Sequence, residues 1–406
     1  MLALEQTRVD EIAAQHREVV VCAREHQVHI ALGVLAVALE EAGDVREHGG
    51  SVRSLRRHRV EPLAAEEPRE LRWAGELLPP AYVARLSLHG RGLYRTAGPP
   101  SMTTMNGLPA RIQLVEVAPR DGLQAEARTL PTETKLALLE RLADAGHTVI
   151  EATSFVSPKA VPQLADAEEL LRTLKRRRGV RYPVLVPNER GLERAMTVGA
   201  LDIAVFASAS DSYSRKNLNR SRDEALAGYA PLVRRAKDGL LRVRGYLSMV
   251  VADPWDGPTP HSVVSDACRR LLDMGCDDLS LGDTSGVGAP GEVDALLAAL
   301  ASARIPFDKL ALHFHDTYGQ ALANVLVALR RGITTFDTST GGIGGSPFAK
   351  MAGGNLATED LLWLCRGSGI ATGVDLDQIV STARWLSGEL GHELPAHASR
   401  ALAQSE

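Results

Sequence analysis

From Arg111 onward, short apolar runs alternate regularly with longer segments, and this alternation constrains the fold more than any other feature of the sequence. The short runs have the length of buried strands, and the longer segments repeat their apolar residues at helical spacing. The predicted strands are Ile112–Val117, Thr148–Ala152, Tyr182–Val186, Leu201–Ala207, Val243–Val251, Asp278–Leu281, Leu310–His315 and Ile333–Asp337. The clearest predicted helices are Thr132–Ala145, Arg222–Asp238, Ser262–Met274, Val293–Ala303 and Tyr318–Arg330.

Eight consecutive strand–helix units are typical of a closed α/β architecture. The units occupy roughly 255 residues between Arg111 and Cys365, close to the ~250 of a (β/α)8 barrel. A doubly wound open sheet is the alternative, but no Gly-rich dinucleotide fingerprint follows a strand. We therefore predict an α/β fold, a (β/α)8 TIM barrel over residues 105–390. An extra C-terminal helix at Asp375–Leu390 and a flexible tail over residues 391–406 complete this prediction.

Residues 1–104 differ in composition from the rest of the chain. They contain no Lys and no Phe, but they hold 13 Arg and half of the 12 His. One interpretation is a disordered or loosely helical extension. The other is an upstream reading frame of a GC-rich gene, with Met102 or Met105 as the natural start. We favour the second interpretation and assign this region no function.

Bulk composition excludes several classes of function. The net charge of −4 is too close to neutral to indicate a nucleic-acid partner. No apolar run reaches the roughly 18 residues of a membrane helix, and no signal or transit pattern opens the chain. The cysteines show no CxxC spacing, which fits a reducing compartment; they are Cys22, Cys268, Cys276 and Cys365. These patterns predict a cytoplasmic protein that binds neither nucleic acid nor membrane.

Two histidines end the predicted strand Leu310–His315. Side chains alternate faces along a strand, so His313 and His315 point the same way. A single histidine at a strand end is usually a satisfied polar residue. Two imidazoles on one face, followed by Asp316, instead form half of a metal site.

Other polar residues also follow the predicted strands. In a barrel the ends of parallel strands share one mouth, where active sites lie. Helix capping is the alternative explanation, and it fits Asp283 before Thr284. Capping does not explain why so many charged groups converge, so we favour an active site. The strand-end residues are Arg120, Asp121, Glu151, Asn188, Asp283, His313 and His315.

Four of these positions suit a divalent cation. Asp121, His313, His315 and Asn355 offer nitrogen and oxygen ligands, which favour Mg²⁺ or Mn²⁺, although zinc also fits these ligand types. Arg120 beside them suits a carboxylate or a developing enolate oxygen. The Gly-rich loop after strand eight could cradle a phosphate or act as a lid. The lid is favoured, because no Lys-Ser/Thr pair follows the glycines.

Five long motifs resemble the 3-hydroxy-3-methylglutaryl-CoA (HMG-CoA) lyase family of metal-dependent TIM barrels. The likeness covers Arg111 to about Leu390 and none of residues 1–104. The wider group includes isopropylmalate and homocitrate synthases, but the residues of the first and last motifs match those of the lyases. The motifs are Val115–Gln124, Val149–Pro158, Ser280–Thr284, His313–Asn324 and Gly353–Asp360.

The resemblance implies cleavage of HMG-CoA to acetyl-CoA and acetoacetate, as in leucine degradation, by a homo-oligomer, expected to be a dimer. Asp121, His313, His315 and Asn355 match the metal ligands, and Arg120 matches the residue that stabilises the enolate of acetyl-CoA. His313, or Asp121 through water, is the expected base for the substrate hydroxyl. Glu151 and Asp283 match acidic residues that support catalysis, and Glu359 matches an acidic residue after the lid.

One position departs from the family pattern. The lid loop of the family carries a Cys that transfers a proton, and this chain has Ser346 there. A hydroxyl is far less acidic than a thiol. Three outcomes follow: Ser346 or a water serves in the proton path, the enzyme acts on another 3-hydroxyacyl-CoA, or cleavage is impaired. A condensing acyl transferase and a non-catalytic scaffold remain as competing functions.

Overall fold

The computed structural model describes residue 105, residues 107–345 and residues 353–403, together with two short strands near the N-terminus. The chain divides into two compact units, Met1–Gly98 and Pro99–Glu406. In the first unit, Arg72–Trp73 pairs antiparallel with Glu76–Leu77. Apart from these strands, the predictions for residues 1–104 lie outside the described residues.

Among the described residues of the second unit, eight parallel strands form one curved sheet. The strands are β1 Gln113–Glu116, β2 Thr153–Ser154, β3 Val184–Leu185, β4 Asp202–Ser208, β5 Arg242–Ser248, β6 Asp278–Asp283, β7 Leu310–Phe314 and β8 Thr335–Thr338. Their spatial order in the sheet is β1-β8-β7-β6-β5-β4-β3-β2. The sheet closes on itself, because the amide of Glu116 donates to the carbonyl of Val149 at 3.0 Å and the amide of Glu151 donates to the carbonyl of Glu116 at 2.8 Å. The predicted (β/α)8 barrel is confirmed.

Helices surround the sheet and bury their apolar faces against it. Ser221 caps one of them with a reciprocal pair of bonds to Glu224, which satisfies amides at the helix start. The five helices predicted from periodicity are confirmed, with shifts at their ends. The helices are α1 Thr132–Asp144, α2 Ala167–Thr173, α3 Glu189–Thr197, α4 Asp211–Leu218, α5 Arg222–Asp238, α6 His261–Asp273, α7 Pro290–Ser302, α8 Ala321–Arg330, α9 Thr358–Ser368, α10 Leu376–Leu390 and α11 His397–Ala403.

The second strand differs from its prediction. Thr148–Ala152 was expected, but the regular strand is Thr153–Ser154, preceded by isolated bridges at Val149 and Ile150. The neighbouring chain explains the interruption. Pro183 accepts from Ala152 at 2.9 Å but has no amide hydrogen to donate back, so the ladder loses a bond there.

The C-terminal segment corrects another prediction. The helix expected at Asp375–Leu390 is present as α10, but residues 391–406 were expected to be a flexible tail. Residues 397–403 instead form α11, and Asp360 on α9 accepts from the backbone amides of His397 and Ala398 at 3.2 and 2.6 Å. A carboxylate at a helix start stabilises it, which is why this segment is ordered.

Alternate strand residues face different environments. Leu114 packs into the main core beneath the helices, whereas Val115 and Val117 form a separate small cluster with Val149. Arg244 on β5 reaches Asp337 on β8, two strands that are not neighbours in the sheet, so their side chains meet across the barrel interior. The two faces of the sheet therefore differ: charged side chains point into the barrel interior, and apolar side chains point towards the helices. Within the described residues, no helix combines the length and the apolar character needed to cross a bilayer.

Candidate active site and metal centre

The end of β1 projects two charged residues into the barrel mouth. The chain leaves the strand through one wide helical turn, Ala118–Gly122, with Pro119 near its start. The amide of Asp121 donates to the carbonyl of Val117 at 2.8 Å. This turn places the side chains of Arg120 and Asp121 next to each other, as the sequence predicts.

Arg120 is held on two sides by carboxylates. Its Nε and Nη2 both lie 2.7 Å from Glu151 Oε2 on the adjacent segment, and its Nη1 donates to Asp121. Its guanidinium also lies over the ring of Tyr246, 5.4 Å from the centroid. The side chain is almost fully buried, so these contacts fix its direction rather than leave it to solvent.

The two histidines share one face of β7, as their spacing predicts. His313 Nε2 and His315 Nε2 lie 3.3 Å apart. The opposite ring atoms have separate partners: His313 Nδ1 lies 3.3 Å from Asp337 Oδ2, and His315 Nδ1 lies 3.0 Å from the Gly353 carbonyl. A carbonyl only accepts hydrogen bonds, and so does an ionised carboxylate, so both Nδ1 atoms carry a proton. Both Nε2 lone pairs then face the same point.

Asn355, which follows the Gly-rich loop in the chain, lies next to Asp121. Its Nδ2 donates to Asp121 Oδ2 at 2.8 Å and to the Ile343 carbonyl at 3.2 Å, and its buried Oδ1 has no hydrogen-bond partner in the described part of the chain. Two glycines allow this approach. A Cβ on Gly344 would lie 2.2 Å from Asn355 Nδ2, and one on Gly354 would lie 2.0 Å from a backbone carbonyl.

The electrostatics of the site suit a cation. Burial acts to raise the pKa of Asp121, but the positive charge of Arg120, the histidines and the Asn355 amide lower it to about 2. Burial and the neighbouring His313 lower the pKa of His315 to about 4. Burial also acts to lower the pKa of His313, yet the bond to Asp337 and the nearby carboxylates raise it. At neutral pH the site therefore holds an anionic Asp121 beside a neutral His315.

The donor geometry fits a divalent metal ion. One ligand atom each from Asp121, His313 and His315 lies within 4.8 Å of the others. Two lone pairs that face each other at 3.3 Å repel unless a positive charge lies near both. The unpartnered Oδ1 of Asn355 is a further oxygen of the type that hard cations bind. Asp121, His313 and His315 thus form a possible metal site, and the part of Asn355 as a fourth ligand stays a prediction.

Asp283 and Asn188 are not members of the three-residue metal group. Asp283 ends β6, and its Oδ2 accepts from the Gly288 amide at 2.8 Å while Oδ1 has no partner among the described residues. Burial raises its pKa to about 6. Asn188 accepts from Gly191 at 2.9 Å at the start of α3, so helix capping explains this residue. Ser346 lies outside the described residues.

Sequence reasoning missed the groups that support the site from inside the barrel. Tyr246 donates to Glu151 Oε2 at 3.1 Å, and Arg244 Nη2 lies 2.5 Å from Asp337 Oδ1. Arg244 and Tyr246 were hidden in a run that was treated as uniformly apolar, although period-two alternation would have placed both on one face. We refer to the paired interior charges as the lumen set: Arg120, Asp121, Glu151, Arg244 and Asp337.

A second buried carboxylate pair lies between the barrel and the helices. Glu116 accepts from the amide of Thr340 at 2.9 Å and from the hydroxyls of Thr340 and Thr358 at 2.8 Å. Glu359 accepts from the amide of Gly341 at 2.9 Å and from Ser399 Oγ at 2.9 Å. Together they hold the turn that leads into the Gly-rich loop. We refer to this pair as the outer set: Glu116 and Glu359.

Comparisons with known proteins agree with this geometry. The HMGL-like family profile matches residues 111–386. A mitochondrial hydroxymethylglutaryl-CoA lyase of Arabidopsis thaliana is 47% identical over 296 residues, which are 73% of this chain and 63% of that protein. The chain thus spans less than two thirds of that relative's length.

Two further relatives are covered over more of their length. A cytoplasmic 3-hydroxy-3-methylglutaryl-CoA lyase of Mus musculus is 45% identical over 280 residues, 69% of this chain and 81% of that protein. The crystal structure of a hydroxymethylglutaryl-CoA lyase from Pseudomonas aeruginosa is 44% identical with a TM-score of 0.72, and the match covers 74% of this chain and 100% of that one.

Proposed function

The chain belongs to the HMGL-like family, which includes the hydroxymethylglutaryl-CoA lyases, and from this premise we propose that it is a carbon–carbon lyase. The substrate is 3-hydroxy-3-methylglutaryl-CoA, and the products are acetyl-CoA and acetoacetate. The observation that carries this proposal is the juxtaposition of Arg120, clamped by two carboxylates, with a three-residue group that can hold a metal ion.

A divalent metal bound at Asp121, His313, His315 and Asn355 would lower the pKa of a substrate hydroxyl and orient the substrate acid. The absence of thiolates from this ligand group favours Mg²⁺ or Mn²⁺. Asp121 acts as a ligand rather than as a base, because a carboxyl group whose pKa is about 2 accepts protons poorly at neutral pH.

The reaction conserves atoms and electrons without a redox partner. The 3-hydroxyl gives its proton to a water molecule, the C2–C3 bond breaks, and the oxygen forms the new ketone of acetoacetate. The bonding pair moves onto C2 and into the thioester as an enolate, and C2 then takes one proton to give acetyl-CoA. Arg120 offers a fixed, buried guanidinium to the enolate oxygen, which is the type of preorganised charge that stabilises such intermediates.

The delivery of a proton to C2 is the step at which this chain departs from the family chemistry. The resemblance places Ser346 where the family carries a Cys, so for this substrate we propose that a hydroxyl or a water serves in the proton path. Ser346 also favours a second candidate function, cleavage of a different 3-hydroxyacyl-CoA whose enolate is protonated by another acid. Both candidates use the same metal group and the same Arg120.

A cleavage assay separates these candidates. The full chain is incubated with Mg²⁺ or Mn²⁺ and 3-hydroxy-3-methylglutaryl-CoA, and both products are measured for wild type, Ser346→Cys and Ser346→Ala. We expect turnover in wild type and a higher rate in Ser346→Cys. Activity only in Ser346→Cys would favour the second candidate. Absence of cleavage in all three variants, with metal bound, would contradict the proposal.

We further propose a cytoplasmic homo-oligomer, expected to be a dimer. The named relatives include both mitochondrial and cytoplasmic lyases, so their names leave the compartment open. Light scattering on the purified chain measures the oligomeric state directly, and a monomer at micromolar concentration would contradict this part. Fractionation of the native cells tests the compartment.

A further inference from the structure

Asp337 faces the candidate metal centre from the floor of the barrel mouth. It lies on β8 directly beside His313 in the parallel register of β7 and β8. Its Oδ2 lies 3.3 Å from His313 Nδ1, and its side chain is fully buried.

The partners of Asp337 fix both of its oxygens. Ser280 Oγ on β6 donates to Oδ2 at 2.7 Å, and Arg244 on β5 binds Oδ1. A buried carboxylate with a guanidinium and a hydroxyl on it has little freedom to rotate. The carboxylate is therefore held as an acceptor in one orientation towards the His313 ring.

The proton on His313 follows from this arrangement. An ionised carboxylate only accepts, so the ring nitrogen facing it must carry the hydrogen. The lone pair of neutral His313 is then on Nε2, which lies 3.3 Å from His315 Nε2 and 3.9 Å from Asp121 Oδ2. The Nδ1 atom of His315 instead faces the carbonyl of Gly353, so of the two Nδ1 atoms that of His313 has the anionic partner.

We infer that Asp337 is a positioning residue that holds His313 in the tautomer required for metal binding, with Arg244 and Ser280 holding Asp337 in turn. A carboxylate behind a ligating imidazole fixes the ring and strengthens its lone pair as a donor. This inference rests on the metal centre of the proposed function but not on the identity of the acyl-CoA. Metal binding can therefore test it even if the chain cleaves another substrate.

Asp337→Asn keeps the size and shape of the side chain but changes which nitrogen of His313 carries the proton. Arg244 can only donate, so the amide oxygen of the new side chain takes the Oδ1 position facing it. The NH₂ group then takes the Oδ2 position facing His313, and the Ser280 hydroxyl rotates to accept from it. The ring must then accept at Nδ1 and carry its proton on Nε2, where it blocks the lone pair. We expect the Kd for Mn²⁺, measured by calorimetry on the metal-free full chain, to rise by about 10- to 100-fold.

Asp278→Asn is the matched control. Asp278 lies 3.4 Å from the other side of Arg244 and does not contact His313, so this variant alters the charge around Arg244 without touching the ring. We expect its Mn²⁺ affinity to stay within about twofold of wild type. An equal loss of affinity in both variants would show that Asp337 only balances Arg244, and unchanged affinity in Asp337→Asn would also overturn the inference.

The tautomer itself is measurable without any variant. Nitrogen-15 NMR of metal-free wild type, recorded at increasing pH until the imidazole signals stop shifting, distinguishes protonated Nδ1 from protonated Nε2 in the neutral rings. We expect the proton of His313 on Nδ1 in wild type and on Nε2 in Asp337→Asn. A wild-type His313 with its proton on Nε2 would overturn the inference even if the variant failed to fold.

Discussion

One carboxyl group of the lumen set and one of the outer set are both buried, but their pKa values shift in opposite directions. Asp121 in the lumen set and Glu359 in the outer set are both buried carboxyl groups next to the Gly-rich segment. The pKa of Asp121 is lowered to about 2, mainly because Arg120 outweighs the effect of burial. Burial raises the pKa of Glu359 to about 8, since only neutral donors and the repelling Glu116 surround it.

The difference shows that buried carboxyl groups near one barrel mouth have two separate roles. Those of the lumen set face the candidate metal centre and Arg120, and those of the outer set stabilise the backbone of the neighbouring turn. Cationic partners lower the pKa values of Asp121 and Asp337 against the effect of burial, so these two carboxylates stay charged. Burial raises the pKa of Glu151 although Arg120 acts to lower it. The outer set binds backbone amides and hydroxyls of the turn at Thr340–Gly342, so its carboxyl groups hold the chain in place. Burial by itself does not determine the role of a carboxylate, because the role depends on the charge of its partners.

Removing the cation of the lumen set should have the largest effect. We expect Arg120→Met to lower the turnover of the acyl-CoA by about 10³-fold or more, because the enolate loses its fixed donor. Steady-state cleavage assays measure this, with Arg235→Met as the control, since Arg235 pairs with Glu189 at the exposed surface. Near-normal turnover in Arg120→Met would discard the mechanism.

Exchanging one carboxylate in each set tests the comparison directly. We expect Asp121→Asn to raise the Kd for Mn²⁺ on the order of 100-fold or more, because even residues behind a ligand change affinity 10- to 100-fold. Glu116→Gln should leave the Kd within about twofold. It should lower the free energy of unfolding by ~1–3 kcal/mol, because an NH₂ group replaces an acceptor that binds two threonine hydroxyls.

Calorimetry and urea unfolding on both variants provide the two measurements. A large loss of metal affinity in Glu116→Gln would show that the outer set also tunes the metal centre. The separation between chemistry and support would then be wrong.

The pH dependence of stability isolates Glu359. Burial raises its pKa from the ordinary value of 4.5 to about 8 in the folded chain, so the unfolded chain releases this proton first as the pH rises. The stability that this proton contributes is fully present below pH 4.5 and is lost as the pH rises through 8. Glu359→Gln removes this dependence, so we expect its stability relative to wild type to increase by about 3–4 kcal/mol from about pH 5 to 8, since each pH unit between the two pKa values contributes ~1.4 kcal/mol.

Urea unfolding of wild type and Glu359→Gln at several pH values measures this difference. A difference that stays constant across that pH range would mean that Glu359 is ionised throughout. The ionisation of Glu359 would then resemble that of Asp121 in the lumen set.

The smallest expected effect concerns the hydroxyl that supports Glu151. Tyr246→Phe removes one hydrogen bond of 3.1 Å but keeps the ring beneath Arg120. We expect kcat to fall by less than about tenfold, corresponding to ~1 kcal/mol, with the metal Kd unchanged. A loss as large as that of Arg120→Met would give Tyr246 a direct part in the chemistry.

The sequence predicts the barrel and most of its mouth, because both follow from short-range patterns. Strand–helix alternation gives the eight units, and period-two alternation puts His313 and His315 on one face. Asp337, Arg244 and Tyr246 were missed for a physical reason. Their contacts join strands that lie far apart in the chain, and only closure of the barrel makes these residues neighbours.

The C-terminal helix α11 was missed for a related reason. Its order depends on Asp360 and Glu359, which lie on a different helix and accept from the start of α11 and from Ser399. Local propensity contains no information on such partners. Asn188 illustrates the reverse error, because its position after a strand suggests function while its role in the structure is to cap a helix.

The close packing of the glycines around Asn355 defines which positions of this loop could vary in laboratory evolution. Gly344 and Gly354 have no space for a methyl group, so any replacement would displace Asn355 or the backbone beside it. Gly345 has no described atom within 4 Å of its Cβ position and no left-handed backbone. A mutant library that seeks activity on new acyl groups should therefore diversify Gly345 and leave Gly344 and Gly354 unchanged.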